Sequence, residues 1–449
     1  PLDGLEEEPL PRGRFARLSP PPEITVTRLG NGLAIVLHPF PSPSIGLSFL
    51  VRCGPVFEEA HNNGISHFLE HMLFRGTPEY PSGSQLNMAL DRVGAEANAA
   101  TFSDMTVVSM RLLPEALSDG LELFRRMLSV PVCEGITAER RIIIEECLED
   151  FDEEGRLIAI DQLSSQLLFG KHPYSLPITG EPKVLKRLTR HDLHEHLQRH
   201  YRPDAGVICL SGAIETATVM DAVRERFGNW RNPAGPARLS STLPEPIFAG
   251  PQLVRVDSPR SQVNARISFR TVSFADPDYY LLKALIRILD APAGSPLRQK
   301  VQDENGFCYN FSAGLDAYER AGAVHIDMTV QPDRLYDALE VSLNVLADLR
   351  EQGVPPEIVE HMIAQYIKGK RFAATDHWDF CSRYAFRELF PSPHDFATEF
   401  HLTQKIVSAD LQRLIHQVFR RRHLGLTLVG PISRALAKRI ESLLAAFPE

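Results

Sequence analysis

Residues 62–76 read NNGISHFLEHMLFRG, and the segment HFLEH at positions 67–71 decides how the rest of the chain is interpreted. Apolar residues recur in this stretch at helical spacing. On one helix His67 and His71 lie one turn apart on the same face, so both imidazoles can reach a single metal ion. Glu70 lies beside them, where its carboxylate can reach a water on that ion without being a ligand. The segment therefore predicts a metal-binding helix.

The pattern H-x-x-E-H on a helix is the inverted form of a zinc-hydrolase signature. Asn62 or Asn63 is a suitable N-cap for the helix, and Gly76 is a suitable end. Single histidines on amphipathic helices are more often ordinary core or surface residues, and a five-residue pattern also arises by chance. A hydrolytic zinc site needs two histidines, one carboxylate and a position for water. The rest of the chain must therefore supply a third ligand.

Composition indicates a globular protein with more than one domain. The 449 residues are 43% hydrophobic and 23% charged, and no apolar run reaches the length of a membrane span. The formal net charge of −9 argues against nucleic acid as a partner. The six cysteines contain no C-x-x-C pair, which excludes a zinc ribbon and favours buried free thiols. We expect a soluble chain, cytoplasmic or periplasmic, and the sequence does not decide between the two.

The second half of the chain repeats the first at a constant spacing, which we call the repeat offset and define as the spacing from Pro114 to Pro332. Three separated blocks keep this offset, which indicates a gene duplication. The matching pairs include Pro114 and Pro332, Leu117 and Leu335, Asp119 and Asp337, Gly135 and Gly353, Glu139 and Glu357, Asp192 and Asp410, Leu193 and Leu411, Leu210 and Leu428, and Gly212 and Gly430.

We divide the chain into an N-terminal arm at 1–22, a first half at 23–230, a Pro-rich linker at 231–251 and a second half at 252–449. Helices and locally pairing strands predict an α+β fold in which each half is a largely antiparallel sheet packed with helices. In the first half we expect a hairpin at 24–38, a strand at 45–52, a turn at 94–100 that leads into a strand pair at 101–113, a strand at 206–211, and helices at 85–93, 115–129, 138–153, 156–169 and 189–200.

The repeat also isolates the residues that could bind a metal. Positions 285–289, which correspond to HFLEH, read LIRIL and hold no metal-binding side chain. A predicted helix at 139–150 offers two adjacent acids. Glu145 lies four residues after an arginine and is explained as half of an exposed ion pair, whereas Glu146 shares part of the apolar side. We choose Glu146 as the third ligand, although a solvated acidic face is the ordinary explanation of such a run.

With HFLEH followed at this distance by ERRIIIEE, the chain resembles the M16 family of zinc peptidases. In that family, H-x-x-E-H is followed by a Glu that ends the pattern E-R-x-x-x-x-x-E. The distance between the two motifs is similar to that between His71 and Glu146 here. The resemblance covers most of the chain. It includes LGNGL at 29–33, GAEANA at 94–99, HPYSLPITG at 172–180 and YRP at 201–203.

The resemblance implies that His67, His71 and Glu146 bind Zn²⁺ and that Glu70 is the general base. It also implies that Glu139 is a catalytic, supporting acid near the site. Bound zinc lowers the pKa of its water to about 7, so the base takes one proton and later delivers it to the leaving amine. Zinc also polarises the scissile carbonyl.

For substrate binding, the resemblance implies that Asn98 and Ala99 lie at the beginning of an edge strand. A peptide would be held there as an added strand through backbone hydrogen bonds. Asn98 is equally well explained as an ordinary turn residue.

One departure from the family concerns the second half. Active members carry an Arg seven positions before a Tyr, and both hold substrate near the zinc. Here Tyr309 matches, but the Arg position is Gln302, and we expect the nearby Arg298 on another helical face. A neutral amide does not replace a guanidinium. We therefore expect a zinc-bearing subunit of a heterodimer, with a homologous M16-type partner that supplies the Arg-Tyr pair; the alternative is a homodimer.

Together with the resemblance, which implies that two such chains close a chamber, these residues predict a zinc-dependent endopeptidase that hydrolyses peptides or unfolded segments in a closed chamber. One alternative is a non-catalytic structural subunit of an M16-like complex, although such a subunit has no need of four converging polar residues. Another is a peptidase dedicated to the maturation of one precursor peptide, which the sequence does not separate from a degradative enzyme.

Overall fold

The computed structural model describes residues 24–39, 41–231, 245–291, 294–373, 377–390, 393–394 and 396–449. The predicted arm at 1–22 and most of the predicted linker at 231–251 lie outside these residues. The strands are β1 (Thr25–Arg28), β2 (Ala34–Pro39), β3 (Ile45–Val51), β4 (Glu96–Thr101), β5 (Thr106–Leu112), β6 (Gly206–Gly212), β7 (Gln252–Val256), β8 (Val263–Thr271), β9 (Cys308–Ala317), β10 (Gly322–Val330) and β11 (Leu424–Val429).

The helices of the first half are α1 (Ile65–Met72), α2 (Gly83–Arg92), α3 (Leu117–Ser129), α4 (Ile136–Leu148), α5 (Ile160–Phe169), α6 (Pro182–Leu185), α7 (Arg190–His200) and α8 (Thr216–Phe227). Those of the second half are α9 (Tyr279–Asp290), α10 (Pro296–Arg298), α11 (Leu335–Gln352), α12 (Pro356–Ala373), α13 (His377–Leu389), α14 (Phe396–Gln404), α15 (Ser408–Val418) and α16 (Arg434–Ala445). Helix α10 continues directly into a π-helical segment, Gln299–Glu304. Among the described residues, none of the helices combines the length and the apolar character needed to cross a membrane.

The two sheets share the order of five strands, and the first sheet has β1 as an additional edge strand. The strand order is β1-β2-β6-β3-β5-β4 in one sheet and β7-β11-β8-β10-β9 in the other. Each sheet has one parallel pair, β2 with β6 and β7 with β11, and its other pairs are antiparallel. The repeat offset is kept in the register, because Ala34 pairs with Val207 and Gln252 pairs with Gly425. The duplicated α+β fold that the sequence predicts is confirmed.

The edge strands depart from the repeat offset. Met110 on β5 pairs with Ala97 on β4. At the repeat offset the counterparts of these two residues are Met328 and Leu315. In the second sheet, however, Met328 pairs with Phe311, which precedes Leu315 on β9. The second half is therefore shorter between α9 and β9 than the first half is between α1 and β4, and a constant offset in the sequence does not align these edge strands.

Each half contributes one helix to the other half's sheet. Helix α5 lies on the second sheet, where Ser164 Oγ is 3.1 Å from Ser268 Oγ and Asp161 forms an ion pair with Arg266 at 2.5 Å. Helix α13 lies on the first sheet, where Ala385 packs in a buried cluster with residues of β2, β3 and β6. This exchange buries the second face of each sheet and joins the halves through apolar contacts.

A buried charged cluster lies where the halves meet. Arg52 at the end of β3 forms an ion pair with Glu319 at 2.5 Å, and its guanidinium lies 5.0 Å from the centre of the Phe390 ring. Asp104, in the turn between β4 and β5, is 8% exposed, and its Oδ2 has no hydrogen-bond partner among the described residues. Burial raises the pKa of Asp104 to about 6, although Arg52 opposes this shift.

Three expectations for the first half are corrected by the structure. The predicted turn at 94–100 contains most of strand β4, whose small residues Ala97 and Ala99 pack against the core. The helix predicted at 138–153 ends at Leu148 because the chain turns back, with the Ile158 amide donating to the Asp150 carbonyl at 2.8 Å. For the same reason the helix predicted at 156–169 begins only at Ile160.

The cysteines are only in part the free thiols that the sequence predicts. Cys209 on β6 is disulfide-bonded. The free and buried cysteines are Cys53, Cys133, Cys147 and Cys308.

We predict that Asp104→Asn stabilises the protein at neutral pH. The folded-state pKa of Asp104 is raised from 3.8 to about 6, so ionisation opposes folding, by about 3 kcal/mol once the pH exceeds the folded value. The advantage of the variant should therefore be largest above pH 6, shrink as the pH falls through 6 and vanish near pH 4. Urea unfolding at several pH values measures it.

The control for this prediction is Asp91→Asn, which removes an exposed carboxylate from α2. Surface substitutions of this kind usually change the free energy of unfolding by less than about 0.5 kcal/mol. A pH-independent effect of Asp104→Asn would contradict the prediction.

Candidate metal centre

Helix α1 carries HFLEH but does not begin where the sequence predicts. Its N-cap is Gly64, in the left-handed conformation with φ 91°, and not Asn62 or Asn63. The helix ends at Met72, before the predicted end at Gly76. The cap is supplied by the carboxylate of Glu58, which accepts hydrogen bonds from the first backbone amides. An acceptor outside the helix therefore does the work expected of an asparagine.

Helix α4 brings the third candidate ligand to α1. Glu146 lies in its last turn and is partly exposed, whereas Glu145 is exposed. The Glu146 carboxylate lies 3.6 Å from His67 Nε2 and 3.8 Å from His71 Nε2. Of the two acids that the sequence offers, the structure places Glu146 beside the histidines.

The three side chains form a group that could hold a metal ion. Their ligand atoms all lie within 4.8 Å of one another. The two Nε2 atoms of His67 and His71 are 3.3 Å apart. Two nitrogens bonded to one zinc at about 2.0–2.1 Å, at a tetrahedral angle, would be roughly 3.3 Å apart. Two imidazoles and one carboxylate around a common point fit zinc in both donor type and spacing.

Glu139 lies behind His71. Its Oε1 is 2.8 Å from His71 Nδ1, and its other oxygen forms an ion pair with Arg75. Glu139 is 3% exposed, so its carboxylate is turned away from solvent. A carboxylate on the second ring nitrogen fixes the tautomer in which Nε2 carries the lone pair for a metal. This placement makes Glu139 a hydrogen-bond partner of the candidate ligand His71.

Glu70 lies on the same helix and contacts the edge strand. Its Oε2 accepts a hydrogen bond from Thr101 Oγ1 at 2.5 Å. Thr101 ends strand β4, and its hydroxyl is 3.4 Å from that of Thr106, which in turn donates to the carbonyl of Cys53 at 3.0 Å. One carboxylate oxygen of Glu70 is thus fixed by the sheet, and the other is left for a second partner.

Burial shifts the pKa values of His67, Glu70 and Glu146. Burial, with a smaller contribution from His71, lowers the pKa of His67 to about 4. Burial also raises the pKa of Glu70 and that of Glu146, and the neighbouring His71 opposes both shifts. A neutral imidazole is the form that binds a metal, so His67 is ready as a ligand at neutral pH.

Strand β4 has a free edge in the described sheet, because β5 is its only neighbour there. Asn98 and Ala99 lie in the middle of this strand, and not at a turn. The Ala99 amide donates to Asn98 Oδ1 at 2.9 Å, and Asn98 is exposed. A cavity of about 570 Å³ lies beside Asn98, between the β4–β5 hairpin and helices of the second half.

Among the described residues, the second half has no counterpart of the metal cluster. Leu285 and Leu289, which correspond to the two histidines, are completely buried in the core of the second half. The counterpart of Glu146 is Ala364. Apolar side chains at these positions stabilise the core of the second half, whereas a metal site needs polar side chains at the surface of the core.

The residues around the missing arginine are connected in an unexpected way. Arg298 donates to Gln302 Oε1 at 3.1 Å, so the two side chains are neighbours and not on separate faces. The Gln302 amide donates to the Tyr309 carbonyl at 2.5 Å. Arg298 also donates to the carbonyl of Phe311 on β9 at 3.2 Å. The Tyr309 side chain is 90% exposed.

Sequence reasoning did not identify Thr101 or Arg75 as residues of this site. Arg75 follows His71 by four residues, so helical spacing could have suggested that it shares a partner with the histidine. No comparable signal exists for Thr101, because it reaches Glu70 only through the pairing of β4 with β5.

Comparison with protein families gives two adjoining matches. The family model for "Insulinase (Peptidase family M16)" matches residues 35–181. The model for "Peptidase M16 inactive domain" matches residues 187–366. The first match contains His67, His71 and Glu146, and the second covers much of the second half, whose described residues include no such group.

Curated relatives are named as zinc proteases or processing peptidases. An uncharacterized zinc protease of Mycobacterium tuberculosis is 28% identical over 338 residues, which is 73% of this chain and 75% of the relative. The uncharacterized zinc protease YmxG of Bacillus subtilis is 26% identical over 411 residues, 89% of this chain and 97% of its own. The beta subunit of the mitochondrial-processing peptidase of Dictyostelium discoideum is 25% identical over 59% of this chain and 56% of its own.

Solved structures share the fold. A protease from Helicobacter pylori has a TM-score of 0.84 at 18% identity, covering 91% of this chain and 100% of that chain. The periplasmic protease PqqL from Escherichia coli has a TM-score of 0.76 at 19% identity, covering 96% of this chain but 51% of its own. The fold of this chain therefore corresponds to about half of the larger protease.

We predict that Glu146→Ala removes the metal site and that Glu145→Ala does not. Of these two acids, Glu146 is the one whose carboxylate lies near both imidazoles, and removing a ligand lowers metal affinity more than removing a neighbouring surface charge. Metal content of the two purified variants after dialysis against zinc measures the difference. Zinc loss in Glu145→Ala with retention in Glu146→Ala would reverse the assignment of the two acids.

Proposed function

Because the chain belongs to the M16 family of peptidases, we propose that it is a zinc-dependent endopeptidase that hydrolyses peptides or unfolded segments. The observation that carries the proposal is the convergence of His67, His71 and Glu146 on one point. Relatives named as zinc proteases support the metal. Bound there, zinc supplies a Lewis acid that activates water and polarises a carbonyl.

Glu70 is proposed as the general base. Its Oε2 is held by Thr101, so its Oε1 is the atom that takes the proton from the attacking water. The same oxygen then carries that proton to the nitrogen of the departing amine. A carboxylate whose second oxygen is fixed by the sheet keeps its orientation through both transfers, which lowers the entropic cost of the reaction.

Glu139 is proposed as a positioning residue and not as a group that touches substrate. The contact between Glu139 Oε1 and His71 Nδ1 at 2.8 Å fixes the imidazole, and Arg75 balances the charge of the buried carboxylate. Outer partners of this kind typically change metal affinity by about 10- to 100-fold when they are removed.

Substrate is proposed to bind along the free edge of β4. An extended peptide that pairs with this strand is held by its own backbone, so it is selected for extended conformation more than for side chains. Ala99 is suited to this role, because its amide donates to the exposed Asn98 side chain, which a substrate carbonyl could displace. Thr101 connects the strand to Glu70, so a peptide on this edge is held next to the base.

A second homologous subunit is proposed to complete the enzyme and to close the chamber. Gln302 occupies the position at which the resemblance expects an arginine, and Arg298 is turned toward Asp290 and the Phe311 carbonyl. Tyr309 is exposed for contact with substrate or partner. A partner chain with the Arg-Tyr pair would supply the missing guanidinium; a homodimer that tolerates Gln302 is the alternative.

A non-catalytic structural role is the competing function. The match to an inactive-domain model favours it only for residues 187–366, which do not include the metal cluster. Maturation of one precursor peptide is a narrower form of the proposed activity and uses the same site.

We predict that Glu70→Gln abolishes peptide hydrolysis and retains zinc. The glutamine keeps the shape and the Thr101 contact, but its amide cannot accept the proton, and loss of a general base typically costs about 10²–10⁴ in rate. Hydrolysis of a quenched fluorescent peptide and metal content are measured on the same sample. Glu115→Gln, an exposed acid outside the site, is the matched control. Turnover close to that of the wild type in Glu70→Gln would exclude Glu70 as the base.

We also predict that the purified chain binds about one zinc but hydrolyses peptides only when a partner with an Arg-Tyr segment is added. The physical reason is that Gln302 cannot supply the charge of a guanidinium. Metal content and peptide hydrolysis are measured for the chain alone and after addition of the product of a neighbouring gene with that segment. Full activity of the chain alone would exclude the need for a partner, and absence of zinc in both samples would favour the structural role.

A further inference from the structure

The start of helix α1 is fixed by a carboxylate that is outside the helix and outside the proposed catalytic site. Glu58 is 5% exposed. Its Oε2 accepts the Gly64 amide at 2.7 Å, and its Oε1 accepts the Ser66 amide at 2.9 Å. Asn63 Nδ2 donates to the same Oε2 at 2.9 Å. One buried side chain thus holds two backbone amides in the turn that precedes His67.

The loop Pro177–Gly180 adds a second constraint at the same place. Asn63 Nδ2 also donates to the carbonyl of Pro177 at 3.1 Å. Gly64 and Gly180 meet backbone to backbone, because a Cβ on either residue would lie 2.6 Å from the Cα of the other. Both glycines have positive φ values, 91° and 86°. This contact accounts for the glycine that ends the segment HPYSLPITG.

The same loop contacts helix α4 next to the third ligand. Cys147 Sγ donates to the carbonyls of Thr179 at 3.6 Å and Gly180 at 3.5 Å. Cys147 follows Glu146 directly, so the loop contacts α1 one turn before His67 and α4 one residue after Glu146. Between the two helices it forms a joint, which we define as Glu58, Asn63, Gly64 and the loop Pro177–Gly180.

The two histidines differ in how they are held. His71 is oriented by Glu139 through its Nδ1. His67 Nδ1 is buried and has no hydrogen-bond partner among the described residues. The position of His67 Nε2 therefore depends on the backbone of the first turn of α1. Glu58 accepts hydrogen bonds from the backbone amides of that turn.

We propose that Glu58 is a positioning residue for the metal centre, acting through the joint to place His67 against His71 and Glu146. This proposal rests on the proposed metal site and extends it. A glutamine side chain at position 58 presents one oxygen acceptor and one NH2 donor. It can therefore accept a hydrogen bond from only one of the two backbone amides, and its NH2 group repels the other. The first turn of α1 would then relax, and His67 would lose its fixed distance to the other ligands.

The test compares Glu58→Gln with Glu59→Gln, its exposed neighbour. Zinc dissociation constants are measured by competition with a chromophoric chelator, and the Co²⁺ absorption spectrum reports the ligand geometry. We expect Glu58→Gln to weaken zinc about 10-fold or more, as is typical for outer partners of metal ligands, and to alter the spectrum. Glu59→Gln should match the wild type. A folded Glu58→Gln with wild-type affinity and spectrum would overturn the proposal.

A second pair of variants keeps the test decisive if Glu58→Gln does not fold. Gly180→Ala places a Cβ against Gly64, whereas Gly155→Ala, also at positive φ, meets no atom within 4 Å. The first should weaken zinc binding and the second should not; equal affinities would overturn the proposal. Both share the backbone strain of a residue at positive φ, so the difference isolates the contact with α1.

The wild-type protein offers an independent measurement. Hydrogen exchange of the Gly64 and Ser66 amides is compared with and without Zn²⁺, with the Gln85 amide at the Ser82-capped start of α2 as reference. Zinc should slow exchange at the first two sites and leave the reference unchanged. No change at Gly64 and Ser66 in a protein that binds zinc would overturn the proposal. A wild type that binds no zinc would overturn the proposed function instead.

Discussion

Helices α1 and α4 are connected by the loop Pro177–Gly180, and the geometry of the proposed metal site depends on this connection. Gly64 and Gly180 are in backbone contact, and Cys147 on α4 bonds the same loop. With the two helices held in this way, His67 and Glu146 come within 3.6 Å although they are far apart in the chain. A metal site gains affinity when its ligands are already in place, because less entropy is lost on binding.

The duplicated scaffold shows what such a site adds to an ordinary core. In the second half, the positions of the two histidines are Leu285 and Leu289, which are fully buried. Burial of such side chains stabilises a core by about 1.5–3 kcal/mol each. In the first half the same helix instead carries two histidines, and burial disfavours the charged form of His67, as its lowered pKa shows. The first half therefore gives up apolar burial at these positions, while the common topology keeps the fold intact.

The exchange of helices makes the two halves mutually dependent. Helix α5 of the first half covers the second sheet, and α13 covers the first. Neither sheet would bury both faces if its half were isolated at the predicted linker. Arg52 and Glu319 meet at this junction, close to the turn after β4 that leads from the proposed substrate edge. Substrate binding at that edge and the packing of the halves are thus physically adjacent.

The sequence by itself determined the features that are encoded locally or by repetition. Helical spacing placed His67, Glu70 and His71 on one helix, the apolar side of the predicted helix favoured Glu146 over Glu145, and the repeat offset predicted the duplicated α+β fold. What only the tertiary structure decided are contacts between elements that are distant in the chain. Glu58 caps α1 in place of an asparagine, Thr101 reaches Glu70 from a strand most of which the sequence predicts as a turn, and Arg298 bonds the Phe311 carbonyl on β9. Each contact depends on how loops and edge strands pack against helices. Such packing produces no periodic pattern in the sequence, because backbone amides and carbonyls are the same at every position.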